Sequence, residues 1–217
     1  MTDIFHEVDE EVRRERLQKL WERYSIYIIG VAVLIVAAMA AWRGYEWWIE
    51  KQAAEAGSKF EQALTLSEEG KHADAEQAFA KIAADAPAGY RVLARFRAAA
   101  ELAQDKPADA VKAYDQIAAD GSFGQTMQDL AALRAGMLLV DTAPLAELEK
   151  RLAPLAEPGR PFRASAREML ALSAWRNHDA AAARKYIDML TADAETPPGA
   201  RTRAEVLSAL LAAGGKS

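Results

Sequence analysis

Apolar positions fall into two regimes along this chain. From Ser25 to Trp42 they are continuous, and SIYIIGVAVLIVAAMAAW holds no charged side chain. Beyond residue 55 they recur at i, i+3, i+4 and i+7 with polar residues between, which is the spacing of one helix face. The first regime predicts a transmembrane helix over residues 25–42. At 1.5 Å rise per residue that run is ~27 Å long, close to the hydrocarbon thickness of a bilayer. Trp21 and Tyr24 stand at one end of it, and Trp42, Tyr45, Trp47 and Trp48 at the other. Indole and phenol rings favour the headgroup level, so these six are the expected membrane-interface anchors.

The second regime is periodic on a longer scale. Ala75, Ala78, Phe79, Ile82 and Ala83 share one helix face, and Ala110, Ala113, Tyr114, Ile117 and Ala118 repeat that face 35 residues later. Ala182, Tyr186, Met189 and Leu190 recur two periods on, and Leu145, Leu148, Leu152 and Leu155 fill the slot between less faithfully. Each of these helices follows an amphipathic one, marked by Phe60-Ala63-Leu64, Leu93-Phe96-Ala100-Ala103, Leu130-Leu133-Met137-Val140 and Ala166-Met169-Leu170-Ala174. Glu69-Gly70-Lys71, Gln104 to Pro107 and Arg176 to Asp179 separate the helices within pairs. Pro87, Gly121 to Gly124, Pro158 to Pro161 and Pro197-Pro198 separate the pairs. Gly and Asn are expected to supply the left-handed residue that stops a helix, and Pro resists continuing one.

A period of 34–36 with small residues where two antiparallel helices cross is the tetratricopeptide pattern. The reading is therefore all-α: one N-terminal transmembrane helix, then an α-solenoid of tetratricopeptide-like helix pairs, closed by a capping helix over residues 200–213. The repeat-core positions are expected at Ala75, Phe79, Ile82, Ala110, Tyr114, Ile117, Ala182 and Tyr186. The boundaries follow as a cytoplasmic arm 1–24, the span 25–42, a helical connector 43–56 and a periplasmic repeat domain 57–217.

Charge sets the orientation. Arg13, Arg14, Arg16, Lys19 and Arg23 precede the apolar run, whereas Arg43 and Lys51 are the basic residues that closely follow it. The positive-inside bias puts the N-terminus in the cytoplasm and the repeats outside. The alternative is a signal peptide cut near Ala38-Met39-Ala40 to release a secreted repeat protein. Against it, the preceding segment is long and rich in acidic residues, unlike a signal n-region, and the tryptophans after Ala40 lose their purpose if it is cut away. Leu17, Leu20, Trp21 and Tyr24 share a face of the arm. That face reads either as an extension of the span lying on the membrane surface or as a docking arm for a partner.

Composition removes whole classes of chemistry. The chain has no cysteine, which excludes disulfides, thiolate metal sites and thiol catalysis. A net charge of −5 with dispersed basic residues leaves no stripe for a phosphate backbone, so nucleic acid is not an expected partner. His6 lies on the other side of the span from His72 and His178, and the latter two occupy turns three periods apart. All three read as surface or turn histidines. No zinc-binding helix motif, glycine-rich phosphate loop or nucleophile elbow occurs. No catalytic residue, cofactor, metal or small-molecule substrate is expected, and the chain reads as a binding protein.

The layout resembles the ancillary Sec-translocon subunits of Gram-negative inner membranes. The resemblance lies in Leu20-Trp21 leading into the span, Trp42-Arg43-Gly44-Tyr45 with Trp47-Trp48 leaving it, Ala56 to Phe60, and Arg201-Thr202-Arg203-Ala204-Glu205 near the end. It covers nearly the whole chain, and it departs from the family in its alanine-rich repeats and weak third repeat. It implies partners in the Sec translocon, periplasmic folding factors such as a membrane-anchored prolyl isomerase, and exported chains, with membrane lipid around the span. The role implied is a scaffold or chaperone-like factor; a cell-envelope or division-coordinating scaffold is the competing one. A concave groove in the stack would draw on the first helices, with Phe60, Leu93, Phe96 and Met137 as candidates.

A topology experiment checks this reading. A reporter active only outside the cytoplasm, fused after Ser217, is expected to be active. The protein in membranes is expected to keep its full 23.7 kDa. A cytoplasmic reporter active there instead, or a loss of about 40 residues, would contradict it.

Overall fold

The computed structural model describes the backbone of residues 3–214 and the side chains of residues 21–213. It is all-helical, with no strand among the described residues. The helices are α1 (Asp3–Glu68), α2 (His72–Asp85), α3 (Ala88–Asp105), α4 (Pro107–Ala119), α5 (Gln125–Leu139), α6 (Leu145–Ala156), α7 (Arg163–Arg176), α8 (Ala180–Ala192) and α9 (Pro198–Gly214). A short 3-10 turn, Gly121–Phe123, links α4 to α5. The chain forms two compact units, Met1–Ala54 and Glu55–Ser217.

In the first unit, the apolar run lies in α1 with its large side chains outward: Ile26, Val31, Leu34 and Val36 are each more than half exposed. A contiguous apolar surface of this extent is foreign to a water-exposed monomer. By length and composition, the stretch from Trp21 is able to cross a membrane, and none of its most apolar window is buried. The face read at Leu17 and Leu20, and the basic cluster Arg13, Arg14, Arg16 and Lys19, lie outside the residues whose side chains are described.

The second unit stacks helix pairs. The last turns of α1 pair with α2, α3 with α4, α5 with α6 and α7 with α8, and α9 closes on α8 and α7. One rule recurs in all four pairs. The second helix buries residues at i, i+4 and i+7: Ala75-Phe79-Ile82, Ala110-Tyr114-Ile117, Leu148-Leu152-Leu155 and Ala183-Ile187-Leu190. Twelve positions before each of these triads, the first helix carries a small residue: Ala63, Ala98, Gly136 and Ala171. Small side chains there let two backbones approach, and the large residues behind them fill the interface. Each fully buried Phe, Leu or Ile contributes about 1.5–3 kcal/mol.

The third pair shows how the rule tolerates exchange. Its triad opens on Leu148 where the other pairs have alanine, and the facing helix gives way to glycine. A Cβ built on Gly136 would lie 2.9 Å from both methyl carbons of Leu152, a side chain with no exposure at all.

In the fourth pair the expected register is off by one. Ala182 is half-buried, whereas Ala183 is fully covered. Ile187, not Tyr186, occupies the place of Phe79 and Tyr114. Tyr186 is also buried, but its hydroxyl leaves the apolar stripe to donate to Glu149 Oε1 at 2.8 Å. The reason is the run Ala180 to Ala183, in which successive positions are chemically identical and Ile187 and Leu190 alone set the phase.

Two of the expected helix stops also take another form. Gly70 has the left-handed φ of 75° that its turn requires. In the turn after α7, His178 carries the positive φ (60°), and Asn177 instead donates its side-chain amide to the Ser173 carbonyl at 2.8 Å. Between α3 and α4 no residue is left-handed. Lys106 has φ −136° and ψ 64°, and Pro107 opens α4 at a position that needs no N–H.

Urea unfolding of residues 55–217 tests the register. Ala110→Leu and Ala183→Leu force bulk into closed crossings and are expected to cost roughly 1–3 kcal/mol each. Ala192→Leu, at an exposed position, is expected to change the midpoint little, and Ala182→Leu is expected to cost less than Ala183→Leu. Equal midpoints for the last two would contradict the assignment.

Candidate protein-binding face

The C-terminal end of the repeat unit is fixed by a polar frame. Asp193 follows the last residue of α8, and two arginines one turn apart on α7 converge on it. Arg163 donates through Nε at 2.6 Å and Nη2 at 3.2 Å, and Arg167 through Nη1 at 2.7 Å. Arg167 is almost wholly buried and also donates to the carbonyls of Ala156 (2.8 Å) and Met189 (3.1 Å), so its charge is distributed over three acceptors. Arg201 of α9 reaches the carbonyls of Thr191 (3.3 Å) and Asp193 (2.9 Å). These acceptors lie at helix ends, where carbonyls have no partner within the helix. Hydrogen bonds from Arg163 above all, with the Glu195 N–H and Arg167, hold the Asp193 carboxyl well below the ordinary carboxylate range. Burial first, then the bond to Glu149, pushes the Tyr186 phenol above its usual value.

Between them α7 and α9 leave a cleft of about 270 Å³. Ala171, Leu172 and Trp175 form one wall, Val206, Leu207 and Leu210 the other, and Leu190 of α8 the floor. Glu168 and Arg203 close one end as a two-point ion pair, with Arg203 Nη2 2.8 Å from Oε2 and Nε bonded to Oε1. Leu172, Trp175, Val206 and Leu210 are 41%, 44%, 57% and 49% exposed, an apolar patch that packing within the chain leaves open.

The expected groove residues divide. Leu93 and Met137 are open, 55% and 49% exposed. Phe60 and Phe96 are not open; they are half-buried packing residues. The Phe60 ring stands 5.1 Å edge-on from Phe79 and 6.0 Å from Tyr90, and Phe96 lies 6.0 Å from Tyr114. Aromatic rings on the first helices close over those on the second and so become part of the core. The walls of the α7–α9 cleft are absent from the sequence-based candidates. The one available signal was Trp175, the only tryptophan outside the membrane-like segment.

The interface anchors Trp21, Tyr24, Trp42, Tyr45, Trp47 and Trp48 are all exposed in the first unit, and Ser25 is half-buried. Tyr45 and Trp48 stack at 6.2 Å, and Lys51 Nζ sits 5.5 Å from the Trp47 ring centre. Arg43 pairs with Glu46 at 3.3 Å. His72 is not a bare turn residue: its Nδ1 lies 2.7 Å from Glu101, a buried carboxylate of α3 that also accepts from the Ser67 hydroxyl at 2.7 Å. This knot ties the first pair to the second. Among the described residues, no three His, Cys, Asp or Glu side chains gather as a metal site.

The sequence profile of the tetratricopeptide repeat-like domain matches residues 18–185, more than half of the chain. The chain belongs to this family. No curated protein and no solved structure matches it. Tetratricopeptide-like domains are in general protein-interaction scaffolds, and this one carries an open apolar cleft between α7 and α9.

The polar frame has a pH signature. Because Asp193 titrates below its unfolded value, its contribution is fully present above the unfolded value of about 4 and is lost as pH falls toward the folded one. Denaturant midpoints of residues 55–217 are expected to drop as pH falls from about 4 to 2. Asp193→Asn is expected to lower the midpoint at neutral pH and to flatten that drop. An unchanged acid slope in the variant would remove Asp193 from the account.

Proposed function

We infer that this is a single-span inner-membrane protein whose tetratricopeptide-like domain binds protein on the periplasmic side. In this reading α1 anchors it through residues 25–42, the N-terminus faces the cytoplasm, and the repeats stand where exported chains emerge from the Sec translocon. It acts there as a scaffold or chaperone-like factor beside periplasmic folding factors, and it performs no chemistry of its own.

One observation carries most of the weight. The family match begins at residue 18, ahead of the apolar run, and continues through the repeats into α8. The run therefore belongs to what the family shares, which favours a retained anchor over a discarded leader. Exposed aromatic residues at both of its ends and the basic excess before it support the span and its direction. The translocon as partner rests on the resemblance of the whole layout, from the Leu20-Trp21 entry to Arg201–Glu205.

Site-specific photo-cross-linking from exposed positions such as Met137 in intact membranes tests this. Cross-links to the translocon channel or to a membrane-anchored prolyl isomerase are the expected outcome. Cross-links confined to wall-synthesis or division enzymes would replace the reading with an envelope organiser.

A further inference from the structure

We propose that the cleft between α7 and α9 receives a short amphipathic helix of a partner protein; this rests on the protein-binding reading above and names the form of the ligand. Three features lead there.

The first is the register of α9. The Glu168–Arg203 pair spans 35 residues, the repeat period. Carrying that period forward from Ala171 gives Val206. In the four complete pairs the equivalent position is alanine or glycine and admits a second helix at close range. In α9 it is a branched residue 57% exposed, so α9 is not shaped for a close partner of the kind α2, α4, α6 and α8 provide. Its neighbour Leu210 is nevertheless apolar and half exposed, so this surface is not finished as a polar cap.

The second is the lining. Apart from Glu168 and Arg203, which satisfy one another, every residue of the cleft is apolar. An extended peptide would bring backbone N–H and C=O groups against walls with no partner for them. A helix bonds its own backbone and presents only side chains. From the Glu168–Arg203 pair to Trp175 and Leu210 the cleft runs about two helical turns, enough for side chains at i, i+3 or i+4 and i+7 of an incoming helix.

The third is size. A cleft of about 270 Å³ is smaller than the usual site for a whole small molecule. The four open side chains offer on the order of 300 Å² of apolar surface, well under the ~800 Å² per partner of a stable dimer. Both point to a few anchor side chains from one helix.

The test uses the full chain in lipid nanodiscs, with empty nanodiscs as the blank. One labelled probe is a designed amphipathic helix with leucines at i, i+3, i+4 and i+7; the other carries the same leucines in an extended, proline-interrupted peptide. Fluorescence anisotropy is expected to show binding of the helical probe and at least tenfold weaker binding of the extended one. Val206→Lys and Leu210→Lys, both at exposed positions, are expected to weaken the helical probe tenfold or more with unchanged helical circular dichroism. Gln77→Lys on α2 is expected to stay within twofold. Binding that persists in both cleft variants would overturn the cleft and leave the protein-binding reading standing. Equal binding of the extended probe would overturn the helical ligand, and absence of binding by either probe would overturn the cleft proposal, leaving the protein-binding reading to the cross-linking experiment. Sedimentation showing a dimer that Leu210→Lys dissolves would make a second copy the occupant and overturn the proposal.

Discussion

The closeness of two helices at a small residue governs the repeat unit. Ala63, Gly136 and Ala171 are buried and Ala98 half-buried twelve positions before the i, i+4, i+7 triads, and small side chains there leave room for a neighbouring helix. The twelve-residue offset between small residue and triad is constant in all four pairs although loop lengths and side chains differ. A solenoid follows from that repetition, because each pair can bury its outer face only against the next. The third pair shows that the constraint lies on the crossing as a whole: Leu148 enlarges one helix, and Gly136 reduces the other.

Arginine does for the helix ends what alanine does for the crossings. Arg160, Arg167 and Arg201 each donate to carbonyls at or just past the C-terminal end of a neighbouring helix. A planar, always-charged donor with five N–H groups suits that task, and lysine would not replace it. Asp193 then neutralises two of the α7 arginines at once, so the buried guanidinium of Arg167 is paired as well as hydrogen-bonded.

Periodicity made the architecture legible. The helix pairs, the place of most turns and the closing helix follow from apolar spacing and from Gly and Pro, although the residues that stop α3 and α7 do so in other ways than expected. The register was legible only where residue types contrast. Phe79 and Tyr114 stand out among alanines and fix their phase, whereas Ala180 to Ala183 carries none, and the step from Ala182 to Ala183 needed the packing of Ile187 and Leu190. Ion pairs between helices, such as Glu168 with Arg203, join residues a full period apart and leave no local mark. The binding face was hidden for a related reason. An apolar residue on an amphipathic helix reads as core, and only the packed stack separates Phe96, which is covered, from Leu172, which is not.

The apolar interior is divided unevenly. One cluster joins the end of α1 to α2 and α3, a second joins α3, α4 and α5, and the third runs from α5 through α9 with the largest number of buried side chains. Amide protons report such a division directly. Those in α6 to α8 are expected to exchange more slowly than those in α2 and α4, because more buried apolar contact must open to release them. A partner held on α7 and α9 would therefore rest on the most extensively buried part of the repeat unit, away from the two smaller clusters.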